Sequence, residues 1–260
     1  MFPLPADLAC PAATPDSALS VEIVSAGDFG TTWEMVEGGG QTGPLSLPLL
    51  VGIIHHPDGT ILIDSGLGKT TRAGTWPRFP FNAFDVSVPE GAAIVERVPN
   101  PLKVLLTHNH YDHIGGLFDL PGVEVWTGID DLRGGRFPAD LRKLVTFVGK
   151  DLRDGVVGRV LGVPAIDVQG DGTVWYLGTP GHTRGAASVL VRARERQYLF
   201  VGDTAWVDHH LVDKRRPGLI SLIIDDDHKA LDASLDWARW MYANCPDLAV
   251  VAGHEPTRRP

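Results

Sequence analysis

The sequence predicts one α/β domain that carries two β-sheets. Short apolar and β-branched runs recur in both halves of the chain, only one stretch has strong helical periodicity, and no linker-like segment parts the halves. With 260 residues, 43% of them hydrophobic, the chain excludes disorder and mini-domains. A chain of this size buries roughly 70–75% of its unfolded surface.

Taken in order, residues 1–17 read as an arm and 18–260 as the domain. Pro3, Pro5 and Asp7 interrupt any apolar leader and no basic segment precedes them, so a cytoplasmic location is expected. Cys10 and Cys245 are the only cysteines, which permits at most one disulfide, and the expectation for Cys10 is a free thiol in a loose arm. Strands are expected over 19–24, 47–54, 60–63, 103–106 and 123–126. Between the second and third, His56-Pro57-Asp58-Gly59 supplies the chemistry of a hairpin turn.

From 68 to 86 the pattern lapses into a loop carrying Trp76, Phe79, Phe81 and Phe84 among prolines. An aromatic loop of that length suits a core cap, a cover over a binding site, or a homodimer contact. Weaker helical patterns occupy 89–98 and 138–148, and strand signals return at 173–177, 186–191, 197–201, 219–224 and 248–251. The clear helix spans 227–244: Leu231, Leu235, Ala238 and Met241 recur at helical spacing, Asp227 is the N-cap, and Pro246 follows the end.

Composition narrows the partners. Lys and Arg number 23 against 32 Asp and Glu, a formal charge of −9, which opposes binding to phosphate backbones, so no nucleic acid is expected. No run approaches the ~20 apolar residues that span a bilayer, so no membrane partner is expected either.

The chemistry concentrates in Leu105-Leu-Thr-His108-Asn-His110-Tyr-Asp112-His113-Ile-Gly-Gly116, directly after a predicted strand. In extended backbone, residues two apart share a side, so His108 and His110 can reach one metal ion. A turn into helix just after them swings Asp112 and His113 towards a second. Imidazole and carboxylate suit zinc and other divalent first-row metals, and no cysteine competes nearby. The same arrangement, a ligand-type residue leaving an apolar strand beside glycine, recurs at Asp64, His182, Asp203 and His254. The other histidines, His55, His56, His209, His210 and His228, fit loop, turn or surface roles, and Asp225-Asp226-Asp227 reads as a solvated helix start.

These five separated motifs, in order and spacing, resemble the metallo-β-lactamase superfamily from about Val21 to Glu255. The resemblance implies a four-layer αββα sandwich with two divalent metal ions at the edge of its sheets, zinc foremost and iron, manganese or cobalt as alternatives. It implies that His108, His110 and His182 bind one ion, that Asp112, His113 and His254 bind the other, that Asp203 bridges both, and that Asp64 orients ligands from outside. The implied chemistry is hydrolysis by a hydroxide held between the ions, with Asp112 passing the proton to the leaving group. Two carboxylates against two dications leave the pocket net positive in this reading.

The hairpin leading to Asp64 and the helix leading to His254 are similar to those of the acyl-homoserine lactonases, which implies a small lactone or ester substrate and a quorum-quenching role. Thioester, phosphotriester, phosphodiester and β-lactam hydrolysis on the same scaffold are the alternatives, with a diiron redox module behind them. Many such lactonases carry tyrosine three residues after the bridging aspartate, where this chain has Trp206. Indole donates a hydrogen bond but cannot exchange a proton as phenol does. Trp206 and the aromatics Trp76, Phe79, Phe81 and Phe84 are the expected substrate pocket.

Overall fold

A computed structural model of the chain describes residue 4 and residues 8–12, 18–75, 85–212, 218 and 220–258. One sheet holds β1 (Ser20–Thr32), β2 (Pro44–His56), β3 (Gly59–Ile63), β4 (Asp85–Ser87), β5 (Lys103–Leu105), β6 (Glu124–Gly128) and β7 (Thr146–Lys150), in the order β4-β1-β2-β3-β5-β6-β7. The other holds β8 (Gly158–Val160), β9 (Val163–Asp167), β10 (Val174–Gly178), β11 (Ala187–Arg192), β12 (Gln197–Gly202) and β13 (Leu248–Ala252), in the order β13-β12-β11-β10-β9-β8.

The two-residue period of a strand explains how these sheets stack. In β3, Ile61 and Ile63 face the other sheet while Leu62 faces outwards. In β11, Val189 and Val191 point inwards and Leu190 outwards; in β13, Val251 points inwards and Val250 outwards. The inner faces meet in one core that also contains Leu50, Ile54, Leu105, Tyr176 and Phe200. Outside the first sheet, Val51, Leu62, Val104 and Val125 pack on Ile94, Ile114, Leu117 and Leu141 from helical segments. Outside the second, Leu199, Val201 and Val250 pack on Leu235, Trp237, Ala238 and Met241 of the helix His228–Asn244. Each fully buried Leu or Ile contributes about 1.5–3 kcal/mol. The result is the αββα sandwich, each sheet apolar on both faces.

The predicted hairpin is present, with His56 opposite Gly59. Asp227 caps the long helix by accepting from Ala230 N at 3.0 Å. The expected strand at 219–224 is instead the one-turn helix Ser221–Ile224. Strand propensity is expressed against a partner, and here Ile220 and Ile224, one helical turn apart, pack on the cluster of Val36, Leu45, Leu47 and Trp206. Of the weaker helical patterns, only Ile94–Arg97 and Leu141–Leu144 are α-helical, and the latter runs straight into β7.

Two further expectations are corrected. Cys10 is no free thiol: it is disulfide-bonded to Cys245, with the Cα atoms 5.4 Å apart. The described part of the arm is pinned as well, with Leu4 and Leu8 against the helix-side core and Gln197 Nε2 donating to Ala12 O at 3.0 Å. His56 keeps the expected turn role, its Nδ1 accepting from Asp58 N at 3.1 Å, though buried, whereas His210 is buried rather than superficial. His56 Nε2 meets Asp171 at 3.0 Å, and His210 Nδ1 accepts from Trp206 N at 3.2 Å while its Nε2 donates to Val36 O at 3.1 Å. Trp76, Phe79, Phe81 and Phe84 lie outside the described residues.

Candidate metal centre

Parallel pairing brings the critical residues to one edge. β3 pairs parallel with β5, and β12 with β13, so Asp64, Thr107, Asp203 and His254 all leave C-terminal strand ends. Close approach at this edge demands glycine twice. Gly202 has φ +51°, and a Cβ there would stand 2.6 Å from the Thr107 side chain; at Gly253 it would stand 2.5 Å from Asp203 Oδ1. His110, in extended conformation at ψ 155°, is the N-cap of the helical turn Tyr111–Ile114. The chain therefore turns just after His110, which sends Asp112 and His113 to a neighbouring position.

Two clusters result, His108, His110, His182 and Asp203 in one and Asp112, His113 and His254 in the other. His182 Nε2 lies 2.9 Å from His110 Nδ1, and the His108 ring centroid is 4.7 and 4.6 Å from those of His110 and His182. Asp112 Oδ2 is 3.7 Å from His113 Nε2 and 3.6 Å from His254 Nε2. Asp203 faces both clusters: Oδ2 is 3.2 Å from His182 Nε2, and Oδ1 is 3.0 Å from His254 Nε2 and 3.3 Å from His113 Nε2.

Four imidazoles are oriented from outside. Asp64, itself at φ +60°, accepts from Thr107 N at 2.7 Å, from Thr107 Oγ1 at 2.7 Å and from His113 Nδ1 at 2.8 Å. Since the Thr107 hydroxyl proton goes to Asp64, its oxygen is free to accept from His108 Nδ1 at 3.1 Å. His182 Nδ1 meets Asp225 at 2.6 Å, and His254 Nδ1 donates to Pro48 O at 3.1 Å. Partners of this kind fix the tautomer and present the other nitrogen inwards.

Burial, together with the neighbouring imidazoles His113 and His182, drives His108 well below its ordinary pKa, and the same two causes, His182 foremost among the neighbours, do so for His110. Burial also opposes charge on His113, His182 and His254, but there the carboxylates win. Asp64 and Asp203 hold His113 well above its usual value, Asp203 and Asp225 raise His182 to about 9, and Asp203 raises His254. Asp203 is held far below the carboxylate range against its burial, by His254 and His113 above all.

The donor atoms suit cations better than protons alone. His108 Nε2, His113 Nε2 and Asp203 Oδ1 are buried at the clusters without a hydrogen-bond partner, a costly state that metal ligation would relieve. Asp64, Asp112, Asp203 and Asp225 together offer four negative charges at the centre.

All seven residues expected as ligands converge, and Asp64 stands outside them. Trp206 is 5% exposed, its ring 6.2 Å from His182 and 6.1 Å from His254. Tyr111 turns away and packs against Leu49, Leu67, Val88 and Ala93. Sequence reasoning missed Asp225, which it placed in solvent but whose side chain is 1% exposed against His182. The available signal was that three acids open the long helix and one suffices to cap it. Asp131, accepting from Thr183 Oγ1 and Gly185 N at 2.8 Å each, also went unnoticed.

Comparison with known proteins agrees with this geometry. The family model described as Metallo-beta-lactamase superfamily matches residues 47–254. A probable metallo-hydrolase of Mycobacterium tuberculosis, Rv2300c, is 27% identical over 232 residues, covering 78% of this chain and 73% of its own length. The N-acyl homoserine lactonase AttM of Rhizobium radiobacter is 27% identical over 239 residues, covering 86% and 87%. A solved N-acyl homoserine lactone hydrolase, with the product N-hexanoyl-L-homoserine at its catalytic metal centre, has the same fold, with TM-score 0.68 at 16% identity over 92% and 94% of the two chains.

Proposed function

Since the chain belongs to the metallo-beta-lactamase superfamily and is a metal-dependent hydrolase, we propose that it opens lactone rings, N-acyl homoserine lactones first among them. The position of Asp203 between both clusters carries the dinuclear part of this reading. The match to a lactonase over 86% of this chain supports the substrate class.

In this proposal His108, His110 and His182 would hold one ion and Asp112, His113 and His254 the other, with Asp203 placed to serve both sets. Zinc is the proposed metal, as nitrogen and oxygen donors without thiolate suit it; iron, manganese or cobalt would occupy the same donors. When bound, the ions supply Lewis acidity and a water that ionises near neutral pH. The chain supplies the rest. Asp64 and Asp225 keep His113 and His182 in the binding tautomer. Asp112, whose side chain is 15% exposed, is the carboxylate that takes a proton from the attacking water and passes it to the leaving alkoxide. Trp206 bounds the centre with a ring that can donate a hydrogen bond but not a proton, so it positions a carbonyl rather than titrating.

Among the described residues no helix is long and apolar enough to cross a membrane. A cytoplasmic site, expected from the sequence, would keep Cys10 and Cys245 reduced; their bond favours an oxidising compartment, and thiol alkylation in lysed cells decides between the two.

The test is a hydrolysis panel of acyl-homoserine lactones, simple lactones, thioesters, β-lactams and phosphotriesters, run with metal analysis of the same sample. Ring-opened product confined to lactones is expected, with Asp203→Asn losing metal and turnover together. A two-zinc protein inert towards every lactone overturns the proposal.

A further inference from the structure

His110 is the odd ligand in the centre. The other four imidazoles give their outward nitrogen to an oxygen of Thr107, Asp64, Asp225 or Pro48. His110 turns its Nδ1 inwards, 2.9 Å from His182 Nε2, and its outward Nε2 lies 3.5 Å from Arg136 Nη1. A ring that gives Nδ1 to an ion keeps its proton on Nε2, and a guanidinium never releases its own. The contact is then donor against donor, two N–H groups side by side that one accepting oxygen could satisfy together.

Arg136 is not loose. Its other terminal nitrogen pairs with Asp226, whose second oxygen accepts from Arg184 N at 3.1 Å. The backbone of that segment is tied to the metal loop, Asp226 N donating to His182 O at 3.1 Å and Asp227 N to Gly181 O at 3.0 Å. Among the described residues no oxygen accepts from Nη1, and the side chain is 45% exposed, open to a ligand arriving from solvent.

We propose that His110 Nε2 and Arg136 Nη1 form an anionic-oxygen subsite beside the metal centre, which takes a carboxylate carried by the substrate away from the scissile ester. This rests on ligation of a metal through His110 Nδ1, and it extends the substrate class from neutral lactones to lactones or esters with an acidic substituent. Arginine suits the task because its planar fork matches a carboxylate and stays charged. Asp226 leaves one edge of that fork for the ligand.

Calorimetry on the zinc-loaded protein tests it, with malonate, succinate and glutarate each compared with the monocarboxylate of equal chain length. Wild-type protein is expected to bind at least one dicarboxylate about tenfold more tightly than its monocarboxylate, the range for one charge-assisted hydrogen bond. Arg136→Gln should abolish the preference and Arg136→Lys keep part of it, at equal zinc content. No preference in wild type, or one that survives Arg136→Gln, overturns the subsite. A reading that needs no variant comes from the His110 Nε2 proton in nitrogen-edited spectra of wild-type protein: it should shift with the preferred dicarboxylate and not with the monocarboxylate, and an unmoved proton also overturns the idea. Neither measurement needs turnover, so a protein that opens no lactone can pass and a proven lactonase can fail.

Discussion

Asp225 and His182 are joined at 2.6 Å across 43 residues of sequence, the same relation that Asp64 has to His113 at 2.8 Å across 49. One imidazole in each cluster is thus held by a buried carboxylate, and the two halves of the centre are supported alike. Asp225→Ala removes one support without touching a proposed ligand. Zinc affinity measured by chelator competition should fall about 10–100-fold, with turnover falling alongside; an unchanged affinity would make Asp225 a packing residue only.

Zinc should displace protons. The carboxylates that raise His113, His182 and His254 keep protons on the metal-free protein, at His182 up to about pH 9. Binding at pH 7 therefore releases protons, which calorimetry in buffers of differing ionisation enthalpy counts. Stability runs the other way in the metal-free protein: the raised His182 contributes fully below its ordinary value of 6.5, and the contribution is lost as pH climbs through about 9. Apparent zinc affinity should rise over that window, and a flat profile would contradict the proton cage.

His210 sets an acid limit. Burial lowers it to about 4, so between 6.5 and 4 the unfolded chain takes up a proton that the folded one refuses, and stability falls as pH falls. From pH 7 to pH 5 the loss is about 2 kcal/mol in order of magnitude. His210→Gln should flatten that part of the urea-midpoint profile while costing some stability at pH 7, because the bonds to Trp206 N and Val36 O must be remade.

The Cys10–Cys245 bond closes the chain across 235 residues. Cys10→Ser should lower stability by about 2–4 kcal/mol, or roughly 5–15 °C in melting temperature, by freeing the unfolded chain. Zinc content should not change, since neither cysteine belongs to the centre; loss of metal in the folded variant would show that the tether reaches the site.

The fold was largely legible because strand periodicity is local: Ile61, Leu62 and Ile63 announce a strand apolar on both faces whatever lies around them. The convergence of the candidate ligands was legible for a related reason, since each of the four segments that carry them follows an apolar strand. Partnerships made only by folding were not. Asp225 reaches His182, and Arg136 reaches His110, between segments whose spacing carries no signal. The run at 219–224 misled because its strand propensity had no sheet edge to join, and Cys10 misled because one cysteine says nothing about the distance to another.

Position 64 joins a backbone demand to a chemical one. At φ +60° the chain accepts glycine, asparagine or aspartate with least penalty, yet three donors, Thr107 N, Thr107 Oγ1 and His113 Nδ1, converge on what stands there. Glycine satisfies the twist and brings no oxygen, asparagine brings one, and glutamate brings two on a stem that the twist resists. Saturation libraries sorted for folded protein alone and for turnover alone should therefore converge on the same single letter at this codon, a coincidence unusual for an enzyme, where the two selections commonly pull apart.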